Sequence, residues 1–200
     1  MMDTEHFDPT RAALLVMDVQ HGVVARFHGS VDVLLERIAA VIGVARDASV
    51  TVVYVRIAFR EGAPEVSARN RSLSEIARLA EFGADDGASR IHPAVEPHPR
   101  DPVVIKKRVS AFAGSDLEVL LRSLEVETLI LSGIATGGVV LSTLRDAADR
   151  DYRILVLSDC CLDGDAEVHR VLIEKVFPRQ AEVLTGKAFA NRLSSSRPIQ

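Results

Sequence analysis

Short apolar runs rich in Val, Ile and Leu alternate along the chain with longer segments of helical hydrophobic periodicity. Six runs have the length of strands: 12–17, 50–57, 103–106, 128–132, 153–157 and 182–185. Five segments between them have helical spacing: 31–48, 72–81, 115–124, 136–150 and 165–177. Strands without a polar face must be covered on both sides, so this alternation predicts an α/β fold with a mainly parallel sheet and helices on both faces.

The length and the connections indicate one structural unit. The 200 residues suit a single domain with a substantial core, and no repeat or linker divides them. We therefore predict one domain over residues 1–200, with flexible ends at 1–10 and 194–200. The segment 83–100, rich in Gly, Asp and Pro, is expected to be a long loop.

Composition excludes several classes of partner. A net charge of −4 gives no electrostatic reason to expect nucleic acid or an anionic membrane. The longest apolar runs have strand length, far below a membrane span. The first nine residues are polar and acidic and resemble no export signal, so a cytoplasmic location is expected.

Neither the cysteines nor the histidines suggest a metal or a disulfide framework. The two cysteines, Cys160 and Cys161, are adjacent and cannot join distant segments. No second Cys/His cluster lies at the spacing of a zinc site, and the six histidines are scattered. We expect no metal and no cofactor.

Charged residues end two of the apolar runs. Asp18 follows the first predicted strand and Lys106 ends the third. In open α/β sheets ligands bind beyond the carboxyl ends of the strands, so these side chains are candidates for proton-transfer chemistry. Two simpler interpretations remain open: Asp18 as a turn or cap residue, and Lys106 as part of a solvated basic rim with Lys107 and Arg108.

Three motifs, in order along the chain, resemble a known family. They are Asp18-Val19-Gln20, the segment 104–112 (VIKKRVSAF), and the segment 131–136 (LSGIAT) followed by Ser142-Thr143 and Asp146-Ala147. Over about residues 12–180 the chain is similar to the isochorismatase-like cysteine hydrolase superfamily. The resemblance implies a single Rossmann-like domain with a six-stranded sheet, a small-molecule substrate, and a homodimer or homotetramer.

The resemblance also assigns roles to individual residues. The amidohydrolases of the superfamily use an Asp-Lys-Cys triad, which places Asp18 as the acid/base, Lys106 as its electrostatic support and Val139 at the cysteine position. It also implies a non-proline cis peptide just before Thr136, at Ile134-Ala135, which orients backbone N–H groups into an oxyanion site. The substrate-facing residues expected along this segment are Ile134, Ala135, Thr136 and Gly138.

Val139 restricts the chemistry. A valine side chain cannot attack a carbonyl, so a covalent thioester mechanism at this position is excluded. The isochorismatase branch of the superfamily needs no thiol, because its Asp protonates the vinyl carbon of an enol-pyruvyl ether before water adds. Asp18 serves that role only if it is protonated when substrate binds, which requires a pKa raised by burial against the attraction of Lys106.

An isochorismatase substrate is a dianion, so cations are expected around it. Candidates by position are Arg56, Arg60, Lys107, Arg108 and Arg145, although a solvated surface charge is the favoured interpretation of each. Gln20 is predicted either to orient Asp18 or a water, or to be a loop hydrogen bonder. Phe112 is predicted to pack against the pocket wall.

Two alternatives to a thiol-independent hydrolase stay open. Cys160 or Cys161 is a relocated nucleophile if either lies within reach of Asp18. Alternatively, the chain is a catalytically silent homologue that binds a small ligand or an oligomeric partner.

Overall fold

A computed structural model describes residues 7–27, 31–78 and 82–195. These ranges contain six strands, which we number in chain order: β1 Ala12–Met17, β2 Thr51–Ile57, β3 Val103–Lys106, β4 Thr128–Ile134, β5 Arg153–Leu162 and β6 Glu182–Leu184. They form one sheet in the order β3-β2-β1-β4-β5-β6, and every pairing is parallel. The predicted parallel α/β sheet is confirmed.

Seven α-helices cover the sheet within the described ranges. They are α1 His21–Val24, α2 Val31–Asp47, α3 Arg71–Arg78, α4 Leu117–Ser123, α5 Leu141–Ala148, α6 Ala166–Val171 and α7 Gly186–Ser195. Because side chains alternate along a strand, β1 supplies both cores: Leu14 and Val16 pack with α2 and α7, whereas Leu15 and Met17 pack with α4 and α5. The sheet is therefore buried on both faces.

Two strands extend further than the sequence pattern predicts. β4 continues from 132 to Ile134, and β5 continues from 157 to Leu162. Residues 157–160 of β5 are out of register with β4, and the pairing of these two strands resumes between Gly133 and Cys161. The polar residues after 157 suggested the end of the strand, but their side chains bond to the neighbouring segment: Ser158 Oγ donates to the Leu184 carbonyl at the end of β6, and Asp159 Oδ1 accepts from the Gly186 N–H.

Two helices were not predicted. α7 buries only Phe189 and Leu193 as large apolar side chains, too few to produce a periodic signal. The short α1 begins just after Gln20, in a segment that the pattern left without structure. The predicted flexible ends, 1–10 and 194–200, lie partly outside the described residues. Among the described residues near the first end, Pro9–Arg11 forms a 3₁₀ turn capped by Asp8.

The strand order creates a switch point between β1 and β4. The chain leaves β1 towards β2 on one side and enters β4 on the other, which opens a crevice at the carboxyl ends of these strands. Gly133 lets them approach: its φ is +135°, and an added Cβ would lie 2.0 Å from the Met17 carbonyl oxygen. No helix in the described ranges is long and apolar enough to cross a membrane.

We predict that Gly133→Ala destabilises the protein severely. The new methyl group would collide with the β1 backbone in a conformation that L-residues rarely adopt, at a cost of roughly 3 kcal/mol or more. Gly43→Ala is the matched control, because Gly43 lies in α2 with nothing within 4 Å of an added Cβ. Replacing a helical glycine by alanine there should stabilise by up to about 1 kcal/mol. Urea denaturation followed by circular dichroism measures both changes, and equal midpoints for Gly133→Ala and wild type would contradict the prediction.

Candidate active site

The strand ends bring Asp18 and Lys106 into a buried ion pair. Asp18 directly follows β1 with a φ of +55°, and its N–H donates to the Val55 carbonyl at 2.8 Å. Lys106 is the last residue of β3, and its Nζ lies 2.9 Å from Asp18 Oδ2. The side chains are 2% exposed for Lys106 and 11% for Asp18. Lys106 thus lies in the interior rather than in a solvated rim.

The surroundings of the pair define its electrostatics. Lys106 Nζ also donates to the Arg108 carbonyl at 3.0 Å, which fixes the ammonium between two acceptors. Asp18 Oδ1 is buried and has no hydrogen-bond partner among the described residues. Burial raises the pKa of Asp18 above its ordinary value, and the positive charge of Lys106 opposes that shift. Asp18 therefore has one oxygen paired with Lys106 and one buried oxygen that has no hydrogen-bond partner among the described residues.

The segment after β4 forms an irregular turn beside this pair. The Ile134-Ala135 peptide is cis, in agreement with the resemblance. Thr136–Val140 forms one π-helical turn, within which Gly138 has non-helical angles of φ −101° and ψ −106°. We call residues 134–140 the β4–α5 turn. Since β4 is the neighbour of β1, this turn begins next to Asp18.

Val139 points its apolar side chain into the core. It is 2% exposed and belongs to the same apolar cluster as Met17, Val104 and Ala111. The position that the resemblance assigns to a nucleophile therefore contributes packing and has no atom that can attack or exchange a proton.

The Gln20 side chain holds the loop that follows Asp18 in place through hydrogen bonds to the backbone. Its side-chain Nε2 donates to the Ile57 carbonyl at 2.9 Å and to the Ser89 carbonyl at 2.8 Å, and its Oε1 accepts from the Ile57 N–H at 2.9 Å. Both N–H donors of the amide are occupied and the residue is fully buried. The structure thus favours the loop hydrogen bonder over a group that orients a water.

Arg56 also holds a neighbouring loop in place through hydrogen bonds. Its Nη1 donates to the carbonyl oxygens of Ala84 and Ser89, both at 3.2 Å, and to Ser89 Oγ at 3.1 Å. The guanidinium holds the loop that precedes β3 against the end of β2. These hydrogen bonds give the Arg56 guanidinium a structural role that does not require a substrate.

The other four candidate cations lie further out. Arg60 and Lys107 approach Glu65 Oε1 at 2.9 and 3.8 Å, while Arg108 and Arg145 are exposed. Arg60 also lines a cavity of about 510 Å³ at the end of β2. Within the described residues none of the four forms an ion pair with Asp18.

Phe112 is buried and packs against Tyr152 and Arg150. Its ring stacks on Tyr152 with centroids 6.0 Å apart, and the guanidinium of Arg150 lies 4.6 Å from its centroid. Tyr152 directly precedes β5, at the amino-terminal end of the sheet. The predicted contact of Phe112 with the pocket wall stays a prediction.

Both thiols are buried and bonded within the protein. Cys160 Sγ lies 3.8 Å from Asp159 Oδ1, and Cys161 Sγ lies 3.9 Å from the Leu131 carbonyl oxygen. Burial raises the pKa of Cys161 to about 12 and that of Cys160 above the ordinary range. Thiolate is the reactive form, so neither group is activated as a nucleophile at neutral pH.

Sequence reasoning missed His169 and Asp163, which contact the β4–α5 turn. His169 Nδ1 lies 2.8 Å from Thr136 Oγ1, and the Gly137 N–H donates to Asp163 Oδ2 at 2.6 Å. The available signal was Asp165, a helix cap that places His169 one turn into α6. Among the described residues, no three His, Cys, Asp or Glu side chains cluster as metal ligands.

Comparison with known proteins places this site in a family context. The model of the isochorismatase domain matches residues 12–188. YwoC of Bacillus subtilis, an uncharacterised isochorismatase family protein, is 27% identical over 203 residues, covering 96% of this chain and 100% of the relative. Ureidoacrylate amidohydrolase RutB of Methylorubrum extorquens is 30% identical over 177 residues, covering 76% of this chain and 70% of the relative.

A solved structure shares the whole fold. The cysteine hydrolase from Pseudomonas syringae pv. phaseolicola 1448A superposes with a TM-score of 0.88 at 25% identity, over 96% of each chain. The likeness therefore extends over both sheet faces and the strand ends that carry Asp18 and Lys106.

We predict that the thiols are unreactive in the folded protein. Iodoacetamide at neutral pH should leave Cys160 and Cys161 unmodified while the urea-unfolded chain is alkylated twice, because both groups are buried and largely protonated. Mass spectrometry of the native and unfolded samples measures this. Rapid labelling of native Cys161, abolished by Cys161→Ser, would instead reveal an activated thiol.

Proposed function

The chain belongs to the isochorismatase family, and we propose that within it the protein is a hydrolase in which Asp18 acts as a general acid without a nucleophilic thiol. The observation that carries this proposal is the buried Asp18–Lys106 pair beside a valine at position 139. Asp18 and Lys106 can transfer a proton, whereas Val139 cannot act as a nucleophile.

A covalent route has no support from the side chains near the strand ends. Val139 has no electron pair to donate, and Cys161 is hydrogen-bonded to the strand backbone with a pKa raised to about 12. The amidohydrolase activities of relatives such as RutB are therefore not carried over to this chain. The chemistry left to Asp18 is the delivery and recovery of a proton.

Vinyl-ether hydrolysis of the isochorismate type fits such a site. Asp18 transfers its proton to the terminal vinyl carbon, and the electron pair of the double bond forms the new C–H bond. The resulting oxocarbenium ion accepts water at the ether carbon, and the released proton returns to the carboxylate. The hemiketal then collapses: its hydroxyl loses a proton as the carbonyl of pyruvate forms, the bond between the hemiketal carbon and the ether oxygen breaks, and that oxygen takes up a proton to leave as an alcohol.

Lys106 would assist after the proton has left. The carboxylate formed on Asp18 faces an ammonium 2.9 Å away, which stabilises the negative charge that develops in the transition state. Before transfer, burial favours the neutral acid. The pair is thus balanced between the two protonation states that a general acid must adopt in one turnover.

We predict that the protein releases pyruvate from isochorismate and that Asp18→Asn lowers kcat/KM by about 100-fold or more, because the amide cannot deliver a proton. NMR-monitored turnover measures both. The exposed Asp116→Asn is the matched control and should retain wild-type turnover. Because the protonated acid is the active form, kcat/KM should fall as the pH rises through the pKa of Asp18.

A panel of small amides and the variant Val139→Cys complete the experiment. Amide hydrolysis by Val139→Cys, with no turnover of any compound by wild type, would contradict the proposal and favour a silent homologue that has lost its nucleophile. Isochorismate turnover that is unchanged in Asp18→Asn would show that another group supplies the proton.

A further inference from the structure

The β4–α5 turn is held in place from outside by the segment that follows β5. The Gly137 N–H donates to Asp163 Oδ2 at 2.6 Å, and Thr136 Oγ1 lies 2.8 Å from His169 Nδ1. A Cβ at Gly137 would lie 3.1 Å from both Asp163 Oδ2 and Val168 Cγ1. Asp163 and α6 are therefore seated directly on the turn.

The position of His169 is fixed by the start of α6. The Asp165 carboxylate caps this helix by accepting from the N–H groups of Glu167 at 2.8 Å and Val168 at 3.2 Å. The His169 N–H then donates to the Asp165 carbonyl at 3.0 Å. A capped first turn leaves the imidazole little freedom, so it can define where its partner lies.

Thr136 depends on that imidazole. The residue is fully buried, and His169 is the hydrogen-bond partner of its hydroxyl in the structure. Without the ring, a buried hydroxyl would be left unsatisfied, which is costly. Gly138, two residues later, has non-helical angles, so the turn is not a simple extension of α5 and needs anchors of its own.

We propose that His169 is a positioning residue of the active site, which acts through Thr136 to hold the β4–α5 turn beside Asp18. The inference rests on the proposed function for its catalytic consequence, because the turn forms one wall of the crevice in which Asp18 acts. His169 itself does not touch the reacting atoms.

The chemistry of the contact fits a neutral imidazole. Burial lowers the pKa of His169, and the nearby Asp163 carboxylate opposes that shift. A neutral ring that carries its proton on Nε2 can accept a hydrogen bond from the Thr136 hydroxyl at Nδ1. The ring also borders a groove of about 540 Å³ that Arg37 and Asp159 line.

Substitutions of His169 that mimic only one of the two ring nitrogens test the proposal. Asparagine places a polar atom near Nδ1, whereas glutamine places one near Nε2. We expect His169→Ala, His169→Gln and Thr136→Val each to lower kcat/KM about 10-fold, and His169→Asn to restore most of the loss. The double variant Thr136→Val/His169→Ala should lose no more than either single variant, because both remove the same bond. His98→Ala, at an exposed histidine, is the control.

Hydrogen exchange of the backbone amides gives a readout that does not need a substrate. Protection of residues 136–140 should fall in His169→Ala and Thr136→Val and persist in His169→Asn and His98→Ala. Unchanged protection, or losses of kcat/KM that add in the double variant, would overturn the positioning role. Reduced protection together with no turnover of isochorismate by wild type would support the role of His169 in holding the turn and overturn the proposed chemistry.

Discussion

The Asp18–Lys106 ion pair is the interaction on which the site depends. Burying two charges is expensive, and removing one partner of such a pair typically costs about 3–5 kcal/mol because the other is left uncompensated. The fold offsets this cost by geometry: two strand ends place Asp18 Oδ2 2.9 Å from Lys106 Nζ, and the Arg108 carbonyl accepts a second hydrogen bond. Asp18 Oδ1 has no hydrogen-bond partner among the described residues, so Lys106 stabilises the carboxylate through Oδ2.

The rest of the architecture positions this pair and its walls. The strand order opens a crevice between β1 and β4, and Gly133 allows these strands to approach where no other residue fits. Gln20 and Arg56 fasten the neighbouring loops through backbone carbonyls. On the other side of the crevice, His169 anchors the β4–α5 turn through Thr136. Gln20 and Arg56 thus bond mainly to the backbone around the Asp18–Lys106 pair.

The sheet and the Asp18–Lys106 pair could be predicted from the sequence because their signals are local. A continuous apolar run followed by a charge identifies a strand end, and parallel strands bring such ends to one edge. The contact of Phe112 with Tyr152 could not be predicted, because the two residues are distant in sequence. His169 was missed for the same reason: its partner lies 33 positions away, and the Asp165 cap predicts the start of a helix but not the contact with Thr136.

The general-acid role of Asp18 is tested most directly by measuring the pKa of its carboxyl group. Carbon-13 NMR of the labelled aspartate carboxyls, with Asp18→Asn used to assign the signal, follows this group as the pH changes. The account predicts that Asp18 titrates above the ordinary range of aspartic acid and that Lys106→Met raises the value further, because burial then acts without the opposing charge. An Asp18 that titrates at or below the ordinary range in the wild-type protein would contradict it, since the residue would then be a permanent carboxylate with no proton to donate.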